Sequence, residues 1–233
     1  MNNNIIGDLI KGTVITVSSA CIIWLAQRII EIELEYIIVI VGLCTFILTG
    51  LWICHKFYKT VGIKKFSTKR ATLNLNKIIN SAKESVDFLG ISGKTLFDKG
   101  NNDMCKILTE RKKLRIQFRF LLLDPESDYL QEKVKEEMDS GNIQNWKDDI
   151  NNSIKTLYKI GMEEVQCYDA KPIWNILRVD NKIFLSYYGN GRSGREFPVI
   201  KIENNTKRST LYIPIMNEFE YLWKKAKKAK NPP

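Results

Sequence analysis

The chain has 233 residues and a formal charge of +10, with 44% hydrophobic and 27% charged residues but only 6 Pro and 13 Gly. That balance excludes a disordered, collagen-like or low-complexity polypeptide. The cysteines at 21, 44, 54, 105 and 167 form no CxxC pair, so neither a disulfide framework nor a zinc ribbon is supported. The single histidine, His55, ends an apolar run and reads as an interfacial residue, which removes histidine triads and zinc-bound histidine pairs from the folded part of the chain. No metal and no cofactor is expected.

The first quarter is very apolar. Tyr36 to Cys54 is an uncharged run of 19 residues, about 28 Å of helix, close to the thickness of a bilayer's hydrocarbon core. Gly12 to Gln27 is uncharged as well and continues through Arg28, so a second span forms if Arg28 snorkels or faces a partner helix. The amino terminus is not basic, and no small-residue cleavage site precedes Glu31, so the first helix is expected to be retained rather than cleaved. The link between the spans carries Glu31, Glu33 and Glu35, whereas Lys56, Lys59, Lys64, Lys65, Lys69 and Arg70 follow the second span. By the positive-inside rule this predicts a hairpin over 1–57 with both termini cytoplasmic.

Small and weakly polar residues recur at helical spacing: Gly12, Thr16 and Ser19 in the first span, Gly42, Thr45 and Thr49 in the second. Such stripes are usually packing seams; in an assembly of hairpins they would line a pore with Arg28. The net charge sits outside the body of the chain. The stretch 55–70 and the tail Lys224, Lys225, Lys227, Lys228 and Lys230 hold nearly all of it. Lys56, Lys59, Lys64 and Lys65 are accordingly candidate contacts for an anionic inner leaflet, with 58–70 read as a basic linker. Nucleic-acid binding by the tail remains an alternative without an aromatic platform to accompany it.

Residues 71–233 are long enough for one domain. A helix is expected from Ser67 to Ser85, capped by Ser67, with Leu73, Leu75, Ile78, Ile79 and Ala82 on its apolar face. VDFLGI at 86–91 reads as a short buried strand, Met104–Lys113 as a helix, and LRIQFRFLLLD at 114–124 as the strongest strand, stopped by Asp124-Pro125. Helices follow over Glu126–Met138 and Gln144–Ile160. Four strand-like segments come next (VQCYDA, IWNILRV, KIFLSYY and FPVIKIE), then an amphipathic helix with Ile215, Phe219, Leu222 and Trp223 on its apolar side. The order predicts an α/β sandwich with a mixed sheet.

The series VDFLGISGKTLF, LRIQFRFLLLDPES, IWNILRVDNKIFLSYYGNG and LYIPIMNEFEYLWKKA resembles one half-unit of the phospholipase D-like superfamily, over nearly all of residues 70–229. The resemblance implies a phospholipase D-like α/β/α sandwich behind the two-helix transmembrane hairpin. That family's catalytic signature is H-x-K-x4-D. With Asp180 at the Asp position, Ile173 stands at the histidine and Asn175 at the lysine. An isoleucine neither attacks phosphorus nor carries a proton, so the resemblance implies the fold without its usual chemistry: no catalytic residue and no enzyme. Asp180 is then explained by the turn before KIFLSYY.

Gly189 to Gly194 matches G-x-G-x-x-G but lacks a following helix, and Gly93-Lys94-Thr95 lacks the earlier P-loop glycine, Phe88 standing in its place. Ser92, Lys94 and Thr95 nevertheless follow the carboxyl end of a strand, and Arg192 and Arg195 add guanidiniums on a second loop, a set suited to a phosphate-bearing ligand. The alternative for both loops is a solvated turn with ordinary surface charge. Acidic pairs such as Glu136-Glu137 and Asp148-Asp149 read as solvated helix faces.

The layout resembles two-transmembrane effectors of bacterial anti-phage systems, those of retrons and cyclic-nucleotide signalling among them. That resemblance implies a homo-oligomeric, abortive-infection effector that permeabilises the membrane on sensing a nearby reverse transcriptase–DNA complex or a nucleotide signal. The alternatives are a degenerate phosphodiesterase or nuclease at the membrane, with Cys167 as substitute nucleophile, and a passive membrane anchor of a binding complex.

Overall fold

The computed structural model describes residues 21, 34–97, 102–136, 142–189, 194–204 and 211–230. They fall into two units, Met1–Lys56 and Phe57–Pro233. Apart from Cys21, the first predicted span, with Gly12, Thr16, Ser19 and Arg28, lies outside the described residues, which contain one helix of membrane-spanning length.

That helix, α1, runs Leu34–Val61. Its stretch Ile38–Lys56 is 19 residues long, apolar enough to cross a membrane, and nowhere buried within the chain. Leu43, Phe46, Leu48, Leu51 and Trp52 all stand exposed. In water such a surface would be strongly unfavourable at about 25 cal/mol per Å², and in hydrocarbon it is not. Thr45 Oγ1 donates to the carbonyls of Val41 and Gly42, and Thr49 Oγ1 to those of Thr45 and Phe46, so both hydroxyls are satisfied inside the helix. A Cβ at Gly42 or Gly50 would meet nothing within 4 Å, leaving both flanks open.

The second unit is a mixed α/β domain. Among the described residues its sheet has eight strands in the order β1-β7-β6-β5-β2-β3-β4-β8. They are β1 Ile63–Ser67, β2 Ser85–Gly90, β3 Gln117–Leu123, β4 Val165–Tyr168, β5 Trp174–Val179, β6 Lys182–Tyr187, β7 Val199–Glu203 and β8 Lys227–Lys228. β2, β3 and β4 run parallel; the remaining pairings are antiparallel. The helices are α2 Leu75–Asn80, α3 Lys94–Phe97, α4 Asn102–Lys113, α5 Asp128–Glu136, α6 Ile143–Lys159 and α7 Tyr212–Lys225.

β3 shows why this sheet forms. Phe120, Leu121, Leu122 and Leu123 are all enclosed, the continuous apolar run expected of a strand covered on both faces. One face presents Asp87, Arg119 and Arg178 toward α7, where Glu220 meets Arg119 and the rings of Phe219 and Trp223 lie beneath its guanidinium. The other face presents Phe88, Asn175, Leu177 and Phe184 to a cavity walled in part by α6.

Three predicted elements differ from those observed. The helix expected over 67–85 is shorter: Ser67 ends β1, Arg70–Thr72 is a single 3-10 turn, and α2 begins at Leu75 with Asn74, not Ser67, accepting the Lys77 amide. The cause is tertiary, because the Arg70 and Ala71 amides donate to the carbonyls of Phe197 and Arg195 and are not free to continue a helix. The stretch read as a basic linker therefore supplies an edge strand, with Lys65 opposite Lys201 and Phe66 opposite Ile200. At the other edge Lys227 and Lys228 pair with Cys167 and Gln166, so part of the lysine tail belongs to the sheet.

Candidate functional site

β2 ends at Gly90, and the chain turns through Ile91, Ser92 and Gly93 into α3. Gly93 has φ +67, and a Cβ there would lie 2.9 Å from the Phe97 ring, so only glycine suits this turn. The turn sets Ser92, Lys94 and Thr95 on the rim of a cavity of about 520 Å³, within the range of small-molecule sites. Arg195 lines the same cavity. Four of the five ligand residues named from sequence thus converge, although Lys94 and Arg195 are a hundred residues apart. Arg192, the fifth, lies outside the described residues.

Sequence reasoning missed the other walls. Arg70 and Leu75 enter from the segment after β1, Asn145, Trp146 and Asp149 from α6, and Asn175 and Tyr188 from β5 and the end of β6. Asp149, read as part of a solvated acidic pair, is paired with Lys94 at 2.9 Å. Asp148 instead accepts from Gln144 on its own helix. An apolar spacing of three and four along α6 sends Trp146, Ile150, Ile154 and Leu157 inward, and this was the one available sign that its early residues face the domain.

The floor is tightly specified. Asn175 is buried, and its Nδ2 donates to the Leu89 carbonyl at 3.2 Å and to the Tyr188 hydroxyl at 3.0 Å. The Ile91 amide donates to the same hydroxyl at 3.1 Å. A Cβ at Gly90 would lie 2.6 Å from Phe88 and 2.9 Å from Asn175, so this glycine is needed for the close approach. Ile173, aligned in the sequence reading with the signature's histidine, is 52% exposed and outside the cavity lining.

Asp180 lies away from the cavity and holds strands together. It sits in the left-handed region at φ 53, and its carboxylate accepts the amides of Lys83, Glu84 and Ser85. Burial would raise its pKa, but these three amides, with Lys182 nearby, outweigh that and hold it below its ordinary value. Cys167, the substitute nucleophile considered above, is buried in β4. Burial first, then the charge of Asp124, pushes its thiol up to about 12, which disfavours the thiolate at neutral pH.

The named membrane residues divide. Gly42, Thr45 and Thr49 lie on α1, where Lys56 stacks its ammonium 4.1 Å over Trp52. Lys59 belongs to α1 as well. Lys64 and Lys65 are exposed on edge strand β1.

These features define a mixed-sheet α/β domain with an amphipathic, cation-rimmed cavity, behind a helix of membrane-spanning length. No protein-family model and no curated protein matches the chain. Among solved structures, the phospholipase D family member Nuc from Salmonella typhimurium is similar at 15% identity and a TM-score of 0.42, over 67% of this chain and 88% of that one. TrmBL2, an archaeal chromatin protein, is similar at 12% identity and a TM-score of 0.40, over 96% of this chain and 66% of that one.

Proposed function

We propose that the chain is a membrane-anchored, non-catalytic effector whose α/β domain reads a phosphate-bearing ligand or partner and whose apolar amino-terminal helices respond by permeabilising the bacterial inner membrane. The observation that carries this reading is the convergence of Ser92, Lys94, Thr95 and Arg195 on one cavity with Arg70, aromatic walls and a hydrogen-bonded Asn175–Tyr188 floor. Guanidinium, ammonium and hydroxyl donors above aromatic rings form a chemistry suited to a nucleotide signal or a nucleic-acid end.

The absence of catalysis in this proposal rests on residue chemistry. The aligned nucleophile position is an exposed isoleucine, the aligned lysine is a buried amide, and Cys167 is held protonated. The helix Ile38–Lys56 supports the membrane half. The setting in an anti-phage, abortive-infection system, in which the trigger is a reverse transcriptase–DNA complex or a nucleotide signal made nearby, and the homo-oligomeric form of the hairpins belong to the same proposal, on the architecture of the chain.

The test is a membrane-potential dye assay on cells expressing the full chain with its genomic neighbours, before and after phage challenge. Depolarisation on challenge is expected, abolished by Arg192→Glu with Arg195→Glu and by Gly42→Leu at unchanged membrane insertion. Full insertion with unchanged potential in the challenged wild type would overturn the reading.

A further inference from the structure

The edge strand β1 carries groups that the cavity does not use. Lys64, Lys65 and Phe66 are exposed on it in succession, Phe66 by 60%, and Lys69 is exposed just beyond its end. No described carboxylate pairs with any of these three lysines. The sequence holds no Asp or Glu from Tyr36 to Lys83, so nothing local neutralises them. Across the sheet, Lys65 stands opposite Lys201, which extends the basic row onto β7. Glu203, whose amide donates to the Gly62 carbonyl, stands opposite Lys182 in the register. A large exposed ring set among unpaired cations beside a membrane-spanning helix is the composition of an interfacial contact.

Two features of β1 argue against another strand as its occupant. Lysines on an outer strand and a bulge, here a shift of register between Ile63 and Lys65, both keep a sheet edge from pairing with a second chain. A lipid surface fits instead. α1 continues to Val61, about 8 Å past the apolar stretch that ends at Lys56, a length that carries it through a headgroup layer about 5–8 Å deep. From that end, Lys64 and Lys65 are within about 15 Å of extended chain. Resting on the membrane half of the reading above, we propose that β1 is the edge by which the α/β domain docks on anionic lipid. Lys64 and Lys65 meet the headgroups, and Phe66 enters the layer between them. Each lysine strengthens such a contact about fivefold.

The full chain carrying Phe66→Trp, reconstituted in phosphatidylcholine vesicles with or without phosphatidylglycerol, tests this. Subtracting the wild-type emission isolates the added indole. With phosphatidylglycerol, its emission is expected to move to the blue and to be quenched by lipids brominated high in the acyl chain. Adding Lys64→Glu with Lys65→Glu should lower the ratio of docked to undocked domain at least about twentyfold, and so remove the quenching, at unchanged carbonate-resistant insertion. Insertion without quenching, equal quenching in phosphatidylcholine alone, or quenching that survives the double reversal overturns the docking edge and leaves the membrane helix in place. A wild-type chain that carbonate extracts overturns both. A blue shift given by a mixed-sequence oligonucleotide and not by lipid overturns the docking edge in favour of nucleic acid. Should the double reversal lose the wild-type circular dichroism, ionic strength decides. Between about 0.1 M and 1 M salt the Debye length falls from about 10 Å to about 3 Å, and quenching that persists unchanged overturns the assignment.

Discussion

Replacing Asp180 by Asn separates a structural carboxylate from a catalytic one. Asn tolerates the left-handed backbone at φ 53 and retains an acceptor oxygen, so the substitution removes little beyond the negative charge. Three amides are at stake, with the Glu84 contact shortest at 2.8 Å. Hydrogen bonds to a charged group contribute about 1.5–3 kcal/mol against about 0.5–1.5 for neutral ones. The amides of Lys83 and Glu84 are exposed, so solvent screening brings the expected loss to about 1–2 kcal/mol at pH 7, or about 3–6 °C in Tm. The carboxylate's folded pKa is lowered, so its stabilisation is complete above the unfolded value of about 3.9 and is lost as pH falls through the folded value. Urea unfolding of the full chain in micelles should therefore show a gap between wild type and Asp180→Asn that is full at pH 7 and closes on acidification below about pH 4. A gap of the same size at pH 7 and pH 3, or none at pH 7, would refute the structural role. Asp180→Ala should lose more, because alanine adds about 1–2 kcal/mol of left-handed strain.

Asp87→Ala should destabilise the domain by about 3 kcal/mol, since it removes the carboxylate that Arg119 (2.8 Å) and Arg178 (2.5 Å) share, leaving Arg119 with Glu220 and Arg178 with the Ser85 hydroxyl; a loss under about 1 kcal/mol in urea unfolding would contradict that account. Cys167 should resist iodoacetamide at pH 8 until the domain unfolds, and mass spectrometry showing rapid labelling of the native chain would restore it as a candidate nucleophile. Ile47→Arg with Leu51→Arg places two charges within the apolar stretch of α1, at about 2.5–3.5 kcal/mol each in hydrocarbon. The double variant should lose carbonate-resistant membrane association, and wild-type retention would argue that α1 does not span.

Hydropathy alone determined α1, because an uncharged run of bilayer length needs no partner in the chain to define it. The strands β2, β3, β5, β6 and β7 and the long helix α6 were legible for a similar reason: each carries its own periodicity or apolar run, and turn residues such as Asp180 mark the boundaries. The candidate ligand loops could be named as well, since Gly-Lys-Thr after a strand and paired arginines in a glycine-rich loop are local patterns. The edge strands could not. IKKFS and the two lysines of β8 have little β character of their own and become strands because β7 and β4 offer unpaired edges. The same holds for Arg70 and Asp149, which composition assigns to a lipid-facing stretch and a solvated helix. Only the closing of the sheet, which pins residues 70 and 71 to the carbonyls of 197 and 195 and lays α6 over the turn at 91–96, brings them to one cavity. Local sequence sets what a segment can become and which loops carry charge, whereas a site built from segments a hundred residues apart exists only once long-range hydrogen bonds have selected their register.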